Sequence, residues 1–348
     1  MRQPVSALRT SVTYAADGSD SNRLNNVLDS EAKEITSMGL TDAFPLTMTT
    51  SDGLILAGSR CGPSFAAATV VYVHGLLCDG SWWQLLTEQV HDRLDGQIAQ
   101  IVWDQRGHGR SGRPHRSVET TLEHLADDLD AVLTQATGSV VLVTHSAGSM
   151  VAAAYAQRYP ARAAALSGLV LFNATGEFPE FPALPTHFTT AAARIKSLRH
   201  GRLDHLAAAA ASVVERRFRR TARRLGSKAP LATGARPGDP RVLTDLMHAY
   251  RHFYLDPDTA AGLRSVPSFV ITGDRDRVVP AAQSTRFAEK IWADQQVVPG
   301  AGHSLPRSDP DIAAEVIVAA LDVAYRADVD QLLLDQDGEL AADTDGAP

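Results

Sequence analysis

Val140-Val141-Leu142-Val143-Thr144-His145-Ser146-Ala147-Gly148 is an apolar run that breaks on a small polar pentapeptide, and an Ala-rich stretch over 151–157 follows it. A strand that ends in x-His-Ser-x-Gly and leads into a helix has the form of a nucleophile elbow, a tight turn presenting a serine hydroxyl at the carboxyl end of a sheet. Ser146 is therefore the first candidate for chemistry. One position departs from the usual pattern. Glycine commonly stands where this chain has Thr144, and a branched β-carbon enters the space in which strand and helix pass closely.

Outward from the elbow, short β-branched runs recur at 69–73, 98–103, 139–143, 168–172 and 267–272. Helical segments at 83–94, 122–135 and 149–158 separate them. Near-continuous apolar strands alternating with amphipathic helices predict an α/β fold, a mostly parallel doubly wound sheet covered on both faces. Upstream, residues 44–49 and 54–57 flank the turn signal Ser51-Asp52-Gly53, which predicts an antiparallel hairpin. The alternation breaks once, between Phe172 and Pro267, where Pro-rich and then Ala- and Arg-rich helical sequence replaces core strands. A connection that long in a compact domain has structure or function of its own, so a helical cap is expected over the carboxyl edge of the sheet. The expected organisation is a polar arm at 1–43, a core at 44–173 and 264–325, the cap at 174–263, and an acidic tail at 326–348.

Composition bounds the function. A hydrophobic fraction of 44% in 348 residues is ample for a large core. A net charge of -7 argues against a general nucleic-acid binder. The first 20 residues hold no apolar core flanked by basic residues, and no run anywhere approaches ~18 apolar residues. Neither export by the usual route nor a membrane span is expected. Two cysteines, Cys61 and Cys78, are too few for a disulfide framework or a zinc site, and a cytoplasmic location is the simplest expectation. The charge is lopsided: 194–228 carries eleven Lys or Arg against Asp204 and Glu215, a local net of +9. On a helical wheel six arginines from Arg216 to Arg224 share one face, opposite Val214, Phe218, Ala222 and Leu225. The plain reading is a solvated cap helix; the sharper one is a cationic cap that steers an anionic or carrier-bound acyl substrate.

A serine hydroxyl is a poor nucleophile until a base takes its proton, and the base is held by a carboxylate. Both partners stand at strand ends after Ser146. The run 268–272 leads into Gly273-Asp274-Arg275-Asp276-Arg277-Val278-Val279-Pro280, and 296–298 leads into Gly300-Ala301-Gly302-His303-Ser304. With His74-Gly75-Leu76-Leu77 and Asp104-Gln105-Arg106-Gly107-His108-Gly109-Arg110-Ser111 ahead of the elbow, the chain resembles the α/β-hydrolase fold superfamily over roughly 44–325. The resemblance implies Ser146 as nucleophile, Asp276 as acid and His303 as base. It also implies an oxyanion hole from the backbone N–H groups of Leu76 and Ala147. Asp274 is the alternative acid, and Glu177 takes that place if the carboxylate follows the preceding strand. His74, Asp104, Arg106 and His108 read as structural polar residues, His145 likewise, and Cys78 as a small filler. Leu77, Trp82, His145, Tyr250, Phe253 and Tyr254 are candidate pocket residues.

The implied reaction is hydrolysis of a carboxylic ester, thioester or lactone, with no cofactor and no metal. Acyl transfer, cyclisation and C–C bond hydrolysis use the same triad and remain alternatives, as does a non-catalytic ligand-binding module. A serine at the elbow argues against relatives that use Asp there, the epoxide hydrolases and haloalkane dehalogenases.

Overall fold

The computed structural model describes residues 43–178 and 238–344, with side chains through Asp330. The polar arm up to residue 42, most of the expected cap and the arginine-rich helix lie outside the described residues.

Eight strands form one sheet in the order β1-β2-β4-β3-β5-β6-β7-β8. The hairpin of β1 (Phe44–Thr49) and β2 (Ile55–Cys61) is antiparallel and joins antiparallel to β4 (Ala99–Trp103). The remaining strands, β3 (Ala68–Val73), β5 (Ser139–His145), β6 (Gly168–Phe172), β7 (Ser268–Gly273) and β8 (Asp294–Val298), run parallel. The apolar strands owe their character to burial on both sides. In β5, Leu142 enters one core cluster while Val141 and Val143 enter the other, and β3 divides Val71 and Val73 from Val70 and Tyr72 in the same way.

Helices cover each face. One carries α2 (Leu122–Leu133), which buries Leu125, Leu129 and Val132, and α3 (Gly148–Arg158). Thr121 caps α2 in a reciprocal pair with His124, satisfying donors that a helix start leaves free. The other face carries α1 (Gln84–Arg93), and later the long final helix, which lays Ala313, Ile317, Ala320 and Ala324 along the sheet at helical spacing.

Between β5 and β7 the described chain adds α4 (Pro160–Ala164), α5 (Pro240–His252) and α6 (Pro257–Leu263). The last two fall in the range expected for the cap, yet both are tied to core elements. The Asp245 carboxylate accepts from Thr120 N–H at 2.9 Å, Asp239 N–H donates to Gly107 O at 2.7 Å, and α6 packs on α3 and α4. After β7 come α7 (Ala281–Ile291), the single turn α8 (Leu305–Ser308) and α9 (Pro310–Thr344). Helix α9 runs through residue 326 without a break, so the expected start of the tail lies inside one helix. Among the described residues no helix is long and apolar enough to cross a membrane.

An ion-pair network, buried at Arg106 and Asp128 and exposed at Asp52, ties the hairpin turn to the loop after β4 and to α2. Arg106, 1% exposed at its side chain, donates Nε to Asp128 Oδ2 at 2.7 Å and Nη1 to Asp52 Oδ2 at 2.9 Å. Asp128 is fully buried, and burial pushes its carboxyl up to about 6 against the pull of Arg106. Arg106→Met strands that carboxylate, and urea denaturation is expected to show a loss of about 3–5 kcal/mol.

Candidate active site

The elbow is built by backbone geometry. β5 ends at His145, and Ser146 then adopts φ 54, a left-handed conformation that costs a non-glycine residue about 1–3 kcal/mol and persists only where its surroundings hold it. The hold is visible: Ser146 N–H donates to Phe172 O at 2.9 Å, carrying the β5–β6 pairing one residue past the strand, and Ser149 N–H closes the turn on Ser146 O. Helix α3 starts at Gly148, where a β-carbon would stand 2.6 Å from Val73 O, so only glycine lets it cross β3 this closely.

Thr144 occupies the opposite face of β5 from His145, fully buried, and its Oγ1 finds no partner among the described residues. Thr144→Val removes that unsatisfied hydroxyl at nearly constant shape. It is expected to raise unfolding free energy by about 1 kcal/mol in denaturant titration; a loss of the same size would mean the hydroxyl is engaged.

The loops after β7 and β8 bring Asp276 and His303 together. Asp276 Oδ2 accepts from His303 Nδ1 at 2.8 Å, with the Asp276 side chain fully buried and that of His303 6% exposed. Oδ1 accepts from Val278 N–H at 2.8 Å and Val279 N–H at 2.9 Å. Four donors therefore surround this carboxylate, because Oδ2 also takes Asn173 Nδ2 at 2.7 Å. A carboxylate accepts only, so the proton of neutral His303 sits on Nδ1 and Nε2 is left as its basic atom. Asp274, the neighbouring aspartate, is exposed and accepts from Gly300 N–H at 2.7 Å, which pins the start of the His303 loop. Glu177 is half exposed and pairs with Arg286 at 3.1 Å.

Asn173 belongs to none of the sequence motifs. It follows β6 directly, is fully buried and has φ 49, a conformation that Asn tolerates better than most residues. That backbone turns its amide onto Asp276, and the only prior signal was an Asn immediately after an apolar strand.

The loop after β3 closes on the serine from the other side. A β-carbon on Gly75 would stand 3.2 Å from Ser146 Cβ, so the backbone of the His74-Gly75-Leu76 loop lies against the elbow. Among the described residues neither Leu76 N–H nor Ala147 N–H is engaged by another acceptor. Leu77 is buried at φ 67, and Asp79 caps the 3-10 turn Gly80–Trp83 by accepting from Ser81 N–H. His74 and Asp104 bind this loop to the one after β4: His74 Nε2 accepts from Gln105 N–H at 3.0 Å, and Asp104 accepts from Gly80 N–H and Arg110 N–H. Burial lowers the His74 imidazole, pushes the Asp104 carboxyl up, and with His74 holds His108 at about 4, as in a dry scaffold.

The candidate pocket residues divide. Trp82, 2% exposed, stacks on His145, and Tyr250 lies in the core cluster that contains α2 and α3, with Phe253 partly buried beside it. Tyr254 is 65% exposed and bridges to Glu177. No group of three or more His, Cys, Asp or Glu among the described residues is placed to hold a metal ion.

Residues 70–316 match the model of the alpha/beta hydrolase family. The chain is 25% identical over 266 residues to the 2-(acetamidomethylene)succinate hydrolase of Mesorhizobium japonicum, a match covering 73% of this chain and 87% of that protein. Among solved structures it resembles a thermophilic esterase from Thermogutta terrifontis, at TM-score 0.59 and 24% identity over 81% of this chain and 99% of the other. An enol-lactonase from Burkholderia xenovorans LB400 matches at TM-score 0.57 and 20% identity over 80% of this chain and all of the other.

Proposed function

The chain belongs to the alpha/beta hydrolase family, and from that premise we propose that it is a serine hydrolase that cleaves a small carboxylic ester, thioester or lactone through an acyl-enzyme on Ser146. The observation that carries this reading is the hydrogen bond from His303 Nδ1 to the buried, four-times-coordinated Asp276, set beside an elbow serine held at φ 54.

In the proposed reaction Ser146 Oγ attacks the carbonyl carbon and its proton passes to His303 Nε2. Asp276 stabilises the imidazolium without taking the proton. The carbonyl oxygen becomes an oxyanion that receives the N–H groups of Leu76 and Ala147, the latter at the start of α3 where the helix dipole adds to the field. Collapse breaks the C–O or C–S bond, and the leaving group departs with the proton from His303. Water then attacks the acyl-enzyme by the same route, restoring the Ser146 hydroxyl and releasing the acid.

The cap at 174–263 is proposed to lie over this edge of the sheet and to select the acyl group. The net +9 of 194–228 favours acyl groups that carry carboxylates or phosphates. A cytoplasmic location fits two buried free thiols, Cys61 and Cys78. The test is a panel of esters and thioesters of graded chain length, lactones, and 2-(acetamidomethylene)succinate, the compound for which the Mesorhizobium relative is named. Turnover of at least one class to the free acid supports the reading; acyl transfer to an added alcohol in preference to water, or no turnover at all, overturns it.

A further inference from the structure

His145 has a part to play beyond filling space below the elbow. It is 1% exposed, and its ring lies in the cluster on the α1 and α9 face of the sheet, stacked on Trp82 at 4.8 Å and 24° and edge-on to Trp83 at 6.4 Å. Its Nε2 lies 2.7 Å from the main-chain carbonyl of His303. A carbonyl only accepts, so the His145 proton is on Nε2, and Nδ1 is a buried lone pair with no partner among the described residues. The ring stays neutral: burial first, then the neighbouring His303 and His74, hold it well below the usual histidine range.

We infer that His145 is a positioning residue for the catalytic base, its Nε2–H holding the His303 main chain at a fixed place relative to Ser146. The inference rests on the triad reading above. Asp276 fixes only the imidazole end of His303. The segment leading to it, Gly300-Ala301-Gly302, is held at its start by Gly300 N–H on Asp274 and at Ala301 O by Arg275 N–H at 2.9 Å, but its two glycines give it little intrinsic stiffness up to His303. Asn173 Nδ2 reaches Gly302 O only at 3.4 Å, whereas the His145 bond is short and acts on His303 itself. The anchor is rigid, because His145 is the last residue of β5, pairs with Phe172 and directly precedes Ser146. His145 thus ties the main chain of the base directly to the strand end that carries the nucleophile.

Two variants separate the N–H from the ring. His145→Phe keeps a flat ring against Trp82 and loses the donor; His145→Gln loses the ring and keeps an N–H at similar reach. With the best substrate of the panel, His145→Phe is expected to lower kcat by on the order of 10- to 100-fold with KM within about twofold, the scale of a misplaced catalytic group. His145→Gln is expected to recover most of that loss, and the rate of Ser146 labelling by a fluorophosphonate follows the same ranking. Phe equal to or better than Gln overturns the inference, since packing alone then accounts for the residue. If neither variant folds, nitrogen-15 NMR of the histidines in the wild-type protein decides: a non-titrating Nε2–H tautomer supports the inference, and a proton on Nδ1 overturns it. A wild type that labels at Ser146, with His145→Phe unimpaired, defeats only the positioning role; a wild type that does not label at Ser146 defeats the triad reading.

Discussion

Ser146→Ala is expected to lower kcat by about 10^6-fold on the best substrate of the panel, leaving KM within a few-fold. The size follows from what is removed. Without Oγ there is no atom to carry the acyl group, and His303 can only act on water held by chance. The residual rate over the uncatalysed reaction, about 10^3- to 10^4-fold, is what an oxyanion hole and binding supply without a nucleophile. The variant folds, because Ala and Ser meet the same strain at φ 54 and the bonds that hold the turn run through backbone atoms, Ser146 N–H to Phe172 O and Ser149 N–H to Ser146 O. Circular dichroism and the melting temperature check that a lost rate is not a lost fold.

Asp276→Asn carries the second large effect, a loss of about 10^4-fold in kcat. The amide is nearly isosteric but presents one donor and one acceptor in place of two acceptors. Val278 N–H and Val279 N–H demand an oxygen at the Oδ1 position, so the amide nitrogen is turned toward the site where His303 Nδ1–H and Asn173 Nδ2 both donate. His303 must then move its proton to Nε2, the atom the reaction needs empty. Asp274→Asn is the control, since that exposed carboxylate holds only the Gly300 N–H, and its cost is expected to be far smaller. Equal losses in the two variants would mean that Asp276 acts by shaping the loop and not by setting the tautomer of His303.

The sequence reading reached the sheet and its order of motifs because both are written in local terms. Strand residues such as Val141 to Val143 are apolar at every position, since each face of the sheet is covered, and glycines mark the loops with Asp276 and His303, Gly273 closing β7 and Gly300 and Gly302 following β8. What local pattern could not carry were contacts chosen by backbone direction across long stretches of chain. Asn173 meets Asp276 only because a left-handed residue turns its amide that way. Arg106 reads as one more motif residue until Asp52 and Asp128 close on it from two separate elements. His145 stands next to the serine in sequence, but its partner lies in a loop beyond β8, and Trp82 reaches it from the loop after β3. The break in alternation marks 174–263 as one insertion but does not say what its helices touch: Ala260 and Leu263 are buried in the core cluster with α3, because one short apolar face looks the same whichever neighbour covers it.

The central claim is that Ser146 forms a covalent bond to substrate carbon, and a fluorophosphonate tests it most directly by trapping the same oxygen on phosphorus. Incubated with folded protein and digested for mass spectrometry, the reagent is expected to leave one phosphonyl group on the peptide carrying Ser146, with activity lost in step and no adduct on Ser146→Ala. An intact, folded protein that turns over substrate while Ser146 stays unlabelled, or that carries the label on another residue, would contradict the account.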